Sequence, residues 1–264
     1  MLDTWLTQGD GLHAIAARMA PRVITVACLG DPHSELPLLW NLCNTLAQQT
    51  ESFVTVLDGT TSEQADNPGL LQMMHGAPRS QDTRGQRAQW IVVPSALGLR
   101  ELYATAPDPG HALTQLGKVA LEQELVVLYA PAAFLEQVLA NTGIEPLLAV
   151  SCARQSRLSA YQAMKRLLLN GGLHPTIATM VHEPLQSAIQ AGRALSQQLQ
   201  DCAMHFLGYR LEAATLMAQP GDGADTRDLS RLAERLLERA HPLHPYVHAR
   251  PGATGMAGRL AGSH

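Results

Sequence analysis

Short, continuous apolar runs alternate with helical patterns along most of this chain, and this alternation restricts the fold more than any other feature. The runs have the length of strands and are rich in β-branched residues, which is typical of strands buried on both faces. Parallel neighbours in a sheet need crossover connections, and the helical segments between the runs can supply them. The sequence therefore predicts an α/β fold with a doubly wound, mostly parallel sheet and helices on both faces. The clearest runs are RVITVACL, FVTVLDG, QWIVVPSA, ELVVLYAP, EPLLAVSC and PTIATMVH.

Composition excludes several classes of protein. The chain has 264 residues and a formal net charge of -4, so we expect no nucleic-acid partner, because such binding depends on a basic surface. No apolar run approaches the length needed to span a bilayer, so we expect a cytoplasmic protein. The four cysteines show neither close pairs nor the density of a disulfide scaffold, and we expect them to be reduced and mostly buried. They are Cys28, Cys43, Cys152 and Cys202.

The chain divides into an N-terminal segment over 1–20, an α/β domain over 21–218 and a C-terminal region over 219–264. In the last region, DLSRLAERLLERA places leucines on one face and predicts an amphipathic helix. Its apolar face would pack on the domain or on a partner, or make a weak membrane contact through residues 228–239. Acidic residues between the basic ones and the lack of large aromatics weaken the membrane interpretation. The final PGATGMAGRLAGSH is typical of a flexible tail.

Three histidines near the C-terminus, His241, His244 and His248, raise the question of a metal site. The prolines between them break any helix that would align the imidazoles, and no cysteine or carboxylate completes a set of ligands. We therefore favour a solvated tail and expect no metal.

The turn after the first apolar run bears on whether the chain can hold a phosphate group. A phosphate-binding loop needs glycines whose backbone N–H groups point inward, a lysine, and a Ser or Thr hydroxyl for magnesium. This turn has a single glycine, no lysine, two prolines without N–H groups and two acidic residues that repel phosphate. We expect it to reject ATP. The degenerate loop comprises Gly30, Asp31, Pro32, His33, Ser34, Glu35, Leu36 and Pro37.

The same residues favour a turn that closes on itself. Asp31, Ser34 and Glu35 are residue types that cap helix N-termini and complement the helix dipole. The two prolines reduce the number of N–H donors that need a partner. We expect residues 31–37 to form a collapsed, self-capped turn that narrows the pocket, so that the fold is stable without a cofactor.

Four segments in a fixed order carry a resemblance to the MinD/ParA class of ATPases, and within it to the flagellar-number regulator FlhG, also called FleN. They are TQGDGLHAI, VVPSALGLRELYA, ARQSRLSAYQAMKRLLLNGG and HFLGYRLEAATLM. The first resembles the regulator's hallmark, D-Q-A-x-x-L-R. Gln8, the Asp10-Gly11 pair and Leu12 match it, whereas Thr7, Gly9 and His13 depart from it. The resemblance spans residues 7–237 and implies a P-loop NTPase-like fold.

The resemblance also implies that other parts of the nucleotide site have changed. Tyr129 stands where the class has an aspartate that organises magnesium and water, so this metal position is lost. Thr179 replaces the asparagine that reads the adenine base. Asp58 matches the switch aspartate after the second strand, but turn chemistry alone accounts for it, and we favour a turn-forming role. These changes favour a pseudo-ATPase that is not an enzyme.

The resemblance implies a regulatory protein that controls flagellar placement, number or assembly. In FlhG the hallmark segment binds the signal-recognition-type GTPase FlhF, and here the corresponding residues are Gln8, Asp10, Gly11, Leu12, His13 and Ile15. Recruitment to the cell pole or membrane by a partner stays open. Two alternatives also stay open: an active MinD-like ATPase with an unconventional site, and a degenerate paralogue that serves pilus placement or exopolysaccharide secretion. Without nucleotide at a dimer interface, we expect a monomer or an ATP-independent dimer.

Overall fold

A computed structural model of the chain describes residues 20–50, 52–77, 89–120, 124–219 and 224–243. The strands in these ranges are β1 (Arg22–Cys28), β2 (Val54–Asp58), β3 (Trp90–Pro94), β4 (Leu125–Pro131), β5 (Pro146–Val150), β6 (Thr176–Val181), β7 (Glu212–Met217) and β8 (His241–Pro242). The helices are α1 (Pro32–Thr50), α2 (Leu70–Met74), α3 (Ala96–Thr105), α4 (Pro109–Val119), α5 (Ala132–Val138), α6 (Arg154–Leu169), α7 (Gln186–Leu207) and α8 (Ala224–Glu238).

Seven strands form a parallel sheet in the order β3-β2-β4-β1-β5-β6-β7. Helices α1 and α8 cover one face, and helices α2 to α7 cover the other, each face with its own apolar core. This arrangement confirms the predicted doubly wound α/β fold. Since the strands are parallel, the ends of β1, β2, β4 and β5 lie along one edge, where such folds place their functional loops.

Helix α8 packs on the domain through its apolar face. Leu229, Leu232, Ala233 and Leu236 are buried in the core that α1 also lines. Of the alternatives predicted for this helix, packing on the domain is the one observed. Its buried leucines are therefore not available to a membrane. Among the helices of the described ranges, none is long and apolar enough to cross a bilayer.

Two expectations are wrong. Residues 241–243 are not a solvated tail, because β8 pairs antiparallel with the start of β1 and Leu243 is buried. Strand β8 could not be predicted from the sequence, because it has only two residues and the strand with which it pairs lies far away in the chain. All four cysteines are free, but Cys152 is exposed, and only Cys43 is fully buried. His244, His248 and the rest of the expected tail lie outside the described residues.

Candidate functional site

The turn between β1 and α1 is shorter than expected, because α1 begins at Pro32. Only Leu29, Gly30 and Asp31 connect the two elements, and Gly30 adopts a φ of 81°, which favours glycine. Pro32 takes the first helical position, where the missing N–H has no intrahelical partner in any case. Residues 32–37, expected as part of the turn, are therefore the first turns of a helix.

Asp31 caps this helix. Its carbonyl oxygen accepts hydrogen bonds from the N–H groups of Ser34 and Glu35, both at 3.0 Å. The Ser34 hydroxyl donates to the Asp31 carboxylate, with 3.0 Å between Oγ and Oδ2. The two carbonyl bonds are the first backbone bonds of the helix, and the side-chain bond between Ser34 and Asp31 agrees with the predicted self-capping.

Glu35 fills the space in front of the helix N-terminus with its own carboxylate. The residue is only 1% exposed, and its Oε1 accepts hydrogen bonds from the N–H groups of Leu29 at 2.7 Å and Asp31 at 2.9 Å. The Tyr129 hydroxyl donates to the other oxygen, Oε2. An anion at a helix N-terminus is stabilised by backbone N–H groups and by the helix dipole. In this chain the anion is a side chain.

Tyr129 reaches this carboxylate from β4, where its Cα pairs with Val26 on one side and with Asp58 on the other. Burial raises the pKa of Tyr129, and hydrogen bonds with Cys28 and Glu35 raise it further. Burial likewise raises the pKa of the Cys28 thiol. Tyr129 therefore stays protonated and acts as a neutral donor at the position where the MinD/ParA resemblance implies a metal-organising carboxylate.

Serines join the Asp31 carboxylate to the end of β5. Ser151 Oγ donates to Asp31 Oδ2 at 2.9 Å, and the Ser151 N–H donates to Ser156 Oγ at 2.9 Å. Burial raises the pKa of Asp31, but hydrogen bonds from Ser156, Ser151 and Ser34 together outweigh burial and lower it below its usual value. Asp31 is thus an anion that neutral hydroxyls hold in place.

Asp58 uses its carboxylate within its own turn. Oδ1 accepts hydrogen bonds from the N–H and the hydroxyl of Thr60, at 2.9 and 2.6 Å, and Oδ2 accepts one from the Thr61 hydroxyl at 2.7 Å. Its carbonyl accepts the Ser95 N–H at 2.9 Å. This geometry matches the turn-forming interpretation of Asp58.

Thr179 does not join this cluster, although the sequence placed it at a base-reading position. Its hydroxyl is buried beneath α7 and lies 2.8 Å from Ser196 Oγ. His182, which follows β6, does reach the start of α1, where its Nε2 lies 2.8 Å from the His33 carbonyl oxygen. Successive side chains of a strand point to opposite faces of the sheet, so neighbouring residues of β6 contact helices on different faces.

We compared the chain with known proteins. No family model and no curated relative matches it. Among solved structures, the ATP complex of a variant of Cyanothece McdA is similar at a TM-score of 0.54 and 10% identity, over 84% of this chain and 96% of that one. Aquifex aeolicus MinD, a cell division protein, is similar at 0.51 and 11%, over 84% and 99%, and at 0.50 and 12%, over 85% and 99%, in the MinC:MinD complex. This chain has the ParA/MinD fold.

Glu63 carries a second buried carboxylate in this chain, and the sequence did not predict its role. Glu63 is buried after β2, and its oxygens accept hydrogen bonds from the N–H groups of Leu97 and Gly98, both at 2.8 Å, and of Leu71 at 3.2 Å. It thereby caps α3 and fixes α2 beside it. No local pattern marks this role, because the N–H donors come from residues far along the chain.

The candidate site on the ParA/MinD fold thus comprises Gly30, Asp31, Ser34, Glu35, Tyr129, Ser151 and Ser156. In the described ranges, neither Asp31 nor Glu35 takes part in a salt bridge. The same ranges contain no group of three or more His, Cys, Asp or Glu residues that could hold a metal ion. The predicted partner-binding residues Gln8, Asp10, Gly11, Leu12, His13 and Ile15 lie outside the described residues.

Proposed function

We propose that this chain is a nucleotide-independent regulatory protein of the FlhG kind, which acts by binding other proteins in the control of flagellar placement, number or assembly. The observation that carries the proposal is the carboxylate of Glu35, which accepts the N–H groups of Leu29 and Asp31 at the start of α1. In an ATPase of this class the corresponding N–H groups would face phosphate. They already have an acceptor here.

Electrostatics support the same proposal. The carboxylates of Asp31 and Glu35 both lie at the start of α1, so a phosphate group placed there would meet two negative charges. A nucleotide triphosphate would add about four negative charges next to these two. To bind, it would also have to displace Glu35, and each donor left without a partner costs about 1–3 kcal/mol.

The residues present do not fit a magnesium nucleotide. Glu35 fills the anion position, and the hydroxyl of Tyr129 at the end of β4 is bonded to it. The carboxylate oxygens of Asp58 already accept hydrogen bonds from Thr60 and Thr61. We therefore propose that no ATP hydrolysis takes place at this turn, and that the chain works as a binding protein.

ATP binding tests the nucleotide-independent part of the proposal. The full chain is titrated with ATP and magnesium by calorimetry, with the McdA variant from Cyanothece that was solved as an ATP complex as the reference protein. We expect no saturable heat for this chain. Micromolar affinity would contradict the proposal and favour the active ATPase.

The proposed partner is a signal-recognition-type GTPase of the FlhF kind, bound through the segment over 1–20. This part of the proposal comes from the resemblance of TQGDGLHAI to the FlhG hallmark. The test measures GTP hydrolysis by the purified GTPase with the full chain, with Gln8→Ala, and with Thr4→Ala as a matched control outside the hallmark. We expect stimulation by the full chain and by Thr4→Ala, and its loss with Gln8→Ala. No stimulation, or equal stimulation by all three proteins, would refute this partner.

A further inference from the structure

Helix α6 carries charges that the fold itself does not use. It contains four basic residues, Arg154, Arg157, Lys165 and Arg166, and no acidic residue. Arg166 pairs with Glu136 of α5. In the part of the chain that the structure describes, the side chains of the other three make neither a hydrogen bond nor an ion pair, and all three residues are exposed. Arg154 and Arg157 also lie in the first turn, where the helix dipole disfavours positive charge.

A groove with an apolar floor runs beside these two arginines, between α6 and α7. It has a volume of about 340 Å³. Buried Leu195 and Leu199 of α7 form the floor, and Leu158 of α6, which is 50% exposed, stands at the edge with Arg154 and Arg157. One end of the groove is therefore basic, and its interior is apolar.

A second depression continues along α7, where the apolar Ala194, Cys202 and Phe206 alternate with polar side chains, those of Gln197, Gln198, Asp201 and His205. It shares Gln198 and Cys202 with the groove and ends at Phe206, which is 74% exposed. Leu195 and Phe206 are separated by about 16 Å along the helix axis, since a helix rises about 1.5 Å per residue. This length matches about three turns of a helix that would lie in the groove.

We propose that the surface between α6 and α7 is a docking site for an amphipathic helix of a partner protein, with its apolar face on Leu158, Leu195 and Leu199. Acidic residues at one end of that helix pair with Arg154 and Arg157. This mode of recognition places apolar anchors at helical spacing in a groove. The surface begins on the same turn of α6 as Ser156, which belongs to the site around Asp31. The side chains that it offers to a partner make none of the hydrogen bonds of that site, so the inference does not depend on the proposed function.

Charge and shape favour an acidic helix over two other occupants. A membrane surface would reach the exposed Leu158 and Phe206 but not Leu195 and Leu199 at the bottom of the groove, whereas a helix that lies in the groove can contact all four. Among the helices of the described ranges, the one richest in acidic residues is α8, and its leucine stripe is buried in the core of its own domain. We therefore take a separate protein as the occupant.

The test is a selection from a displayed library of helical peptides, about three to four turns long, against the full-length protein. We expect the enriched peptides to carry apolar residues at positions i, i+3 or i+4, and i+7, with acidic residues at one end. Their affinity for the double variant Arg154→Glu and Arg157→Glu should fall at least tenfold. This variant places acids in the first turn of α6, where they suit the helix dipole, so it should fold normally.

The matched control is the double variant Arg100→Glu and Arg193→Glu. It reverses two exposed arginines that lie on α3 and on the opposite flank of α7. We expect the selected peptides to bind this control as tightly as the unchanged protein. Three results would overturn the proposal: no acidic peptide is enriched; the selected peptides bind both double variants equally; or Arg154 and Arg157 prove to govern binding to anionic phosphatidylglycerol vesicles or self-association instead.

Discussion

At the scale of single residues, Glu35 defines the candidate site. A buried carboxylate is costly unless donors satisfy it, and here two backbone N–H groups and the Tyr129 hydroxyl do so. No cation of the described residues forms a salt bridge with it. The charge is held by neutral donors and by the start of α1, as an external anion would be.

The first prediction concerns the removal of this carboxylate. Glu35→Ala leaves the Leu29 and Asp31 N–H groups and the Tyr129 hydroxyl without their acceptor, and should lower the free energy of unfolding by about 2–5 kcal/mol. Glu35→Gln should cost less, because its amide oxygen still accepts the two N–H groups. Urea denaturation measures both values. The exposed Glu234→Ala is the control and should stay within about 0.5 kcal/mol of the unchanged protein.

A double-mutant cycle connects Glu35 with Tyr129. Tyr129→Phe removes one donor to the carboxylate, and its effect should shrink when Glu35 is already alanine, with a coupling energy of about 0.5–3 kcal/mol. Tyr103→Phe serves as the uncoupled comparison, since Tyr103 lies on α3, away from this turn. Additive effects of Glu35→Ala and Tyr129→Phe would show that the hydrogen bond between them contributes nothing to stability.

Asp31 gives the second prediction, on pH. Its pKa is lowered in the folded protein because hydrogen bonds from Ser156, Ser151 and Ser34 outweigh the effect of burial. The stabilisation is therefore complete above the unfolded-state pKa of about 3.9 and is lost as the pH falls through the lower folded-state pKa. Melting temperatures of the unchanged protein and Asp31→Asn should differ at pH 6 and converge in strong acid. Asp66→Asn is the control, and a constant difference at all pH values would contradict the prediction.

At the scale of elements, α1 contains a proline, and a side chain from another element replaces the hydrogen bond that this proline cannot make. Pro37 lies inside the helix and has no N–H to donate to the carbonyl four residues earlier, that of His33. The His182 imidazole reaches this carbonyl with Nε2 at 2.8 Å, and because a carbonyl only accepts, Nε2 carries the proton. A side chain from the end of β6 thus replaces a missing bond of the helix.

The third prediction follows from this replacement. Pro37→Ala restores the helical N–H and gives the His33 carbonyl a second donor. His182→Ala should lower the free energy of unfolding by about 0.5–1.5 kcal/mol in the natural sequence and by clearly less in the Pro37→Ala background. Thermal denaturation of the four proteins measures the coupling. Equal effects in both backgrounds would mean that His182 does not substitute for the missing N–H.

The elements also show what a sequence can and cannot predict. The apolar runs predicted β1 to β6 because burial on both faces leaves a continuous pattern, whereas β7, which is mostly half-buried, was indicated only by the resemblance of HFLGYRLEAATLM. The start of α1 at Pro32 could not be predicted, since proline is common both in turns and at the first helical position. Glu35 and Asp31 could be predicted as capping residues from their types, because their donors are close in the chain. The contacts of Tyr129 and Glu63 depend on residues brought together by the whole fold, so no local pattern indicates them.

At the scale of the whole molecule, the fourth prediction concerns mass in solution. The turn with Asp31 and Glu35 lies at the edge of the sheet where ATP would join two subunits in the class that the sequence resembles. Facing copies of this turn would bring like charges together without a nucleotide between them. Light scattering should give the same mass, that of a monomer or of a dimer through another surface, with and without ATP and magnesium. A mass that doubles only when ATP is added would contradict the prediction.

The short strand β8 brings the two ends of the described domain together. The N–H of Leu243 donates to the Pro21 carbonyl at 2.8 Å, so the first and last parts of the domain are neighbours beneath β1. The residues before 20 and after 243 therefore attach at the same point of the molecule. A fluorescent protein inserted directly after Leu243 would be tethered close to Pro21, whereas a label at the exposed Cys152 sits at the opposite end of the strands. The same proximity makes this chain a natural substrate for circular permutation, with new ends opened in a surface loop.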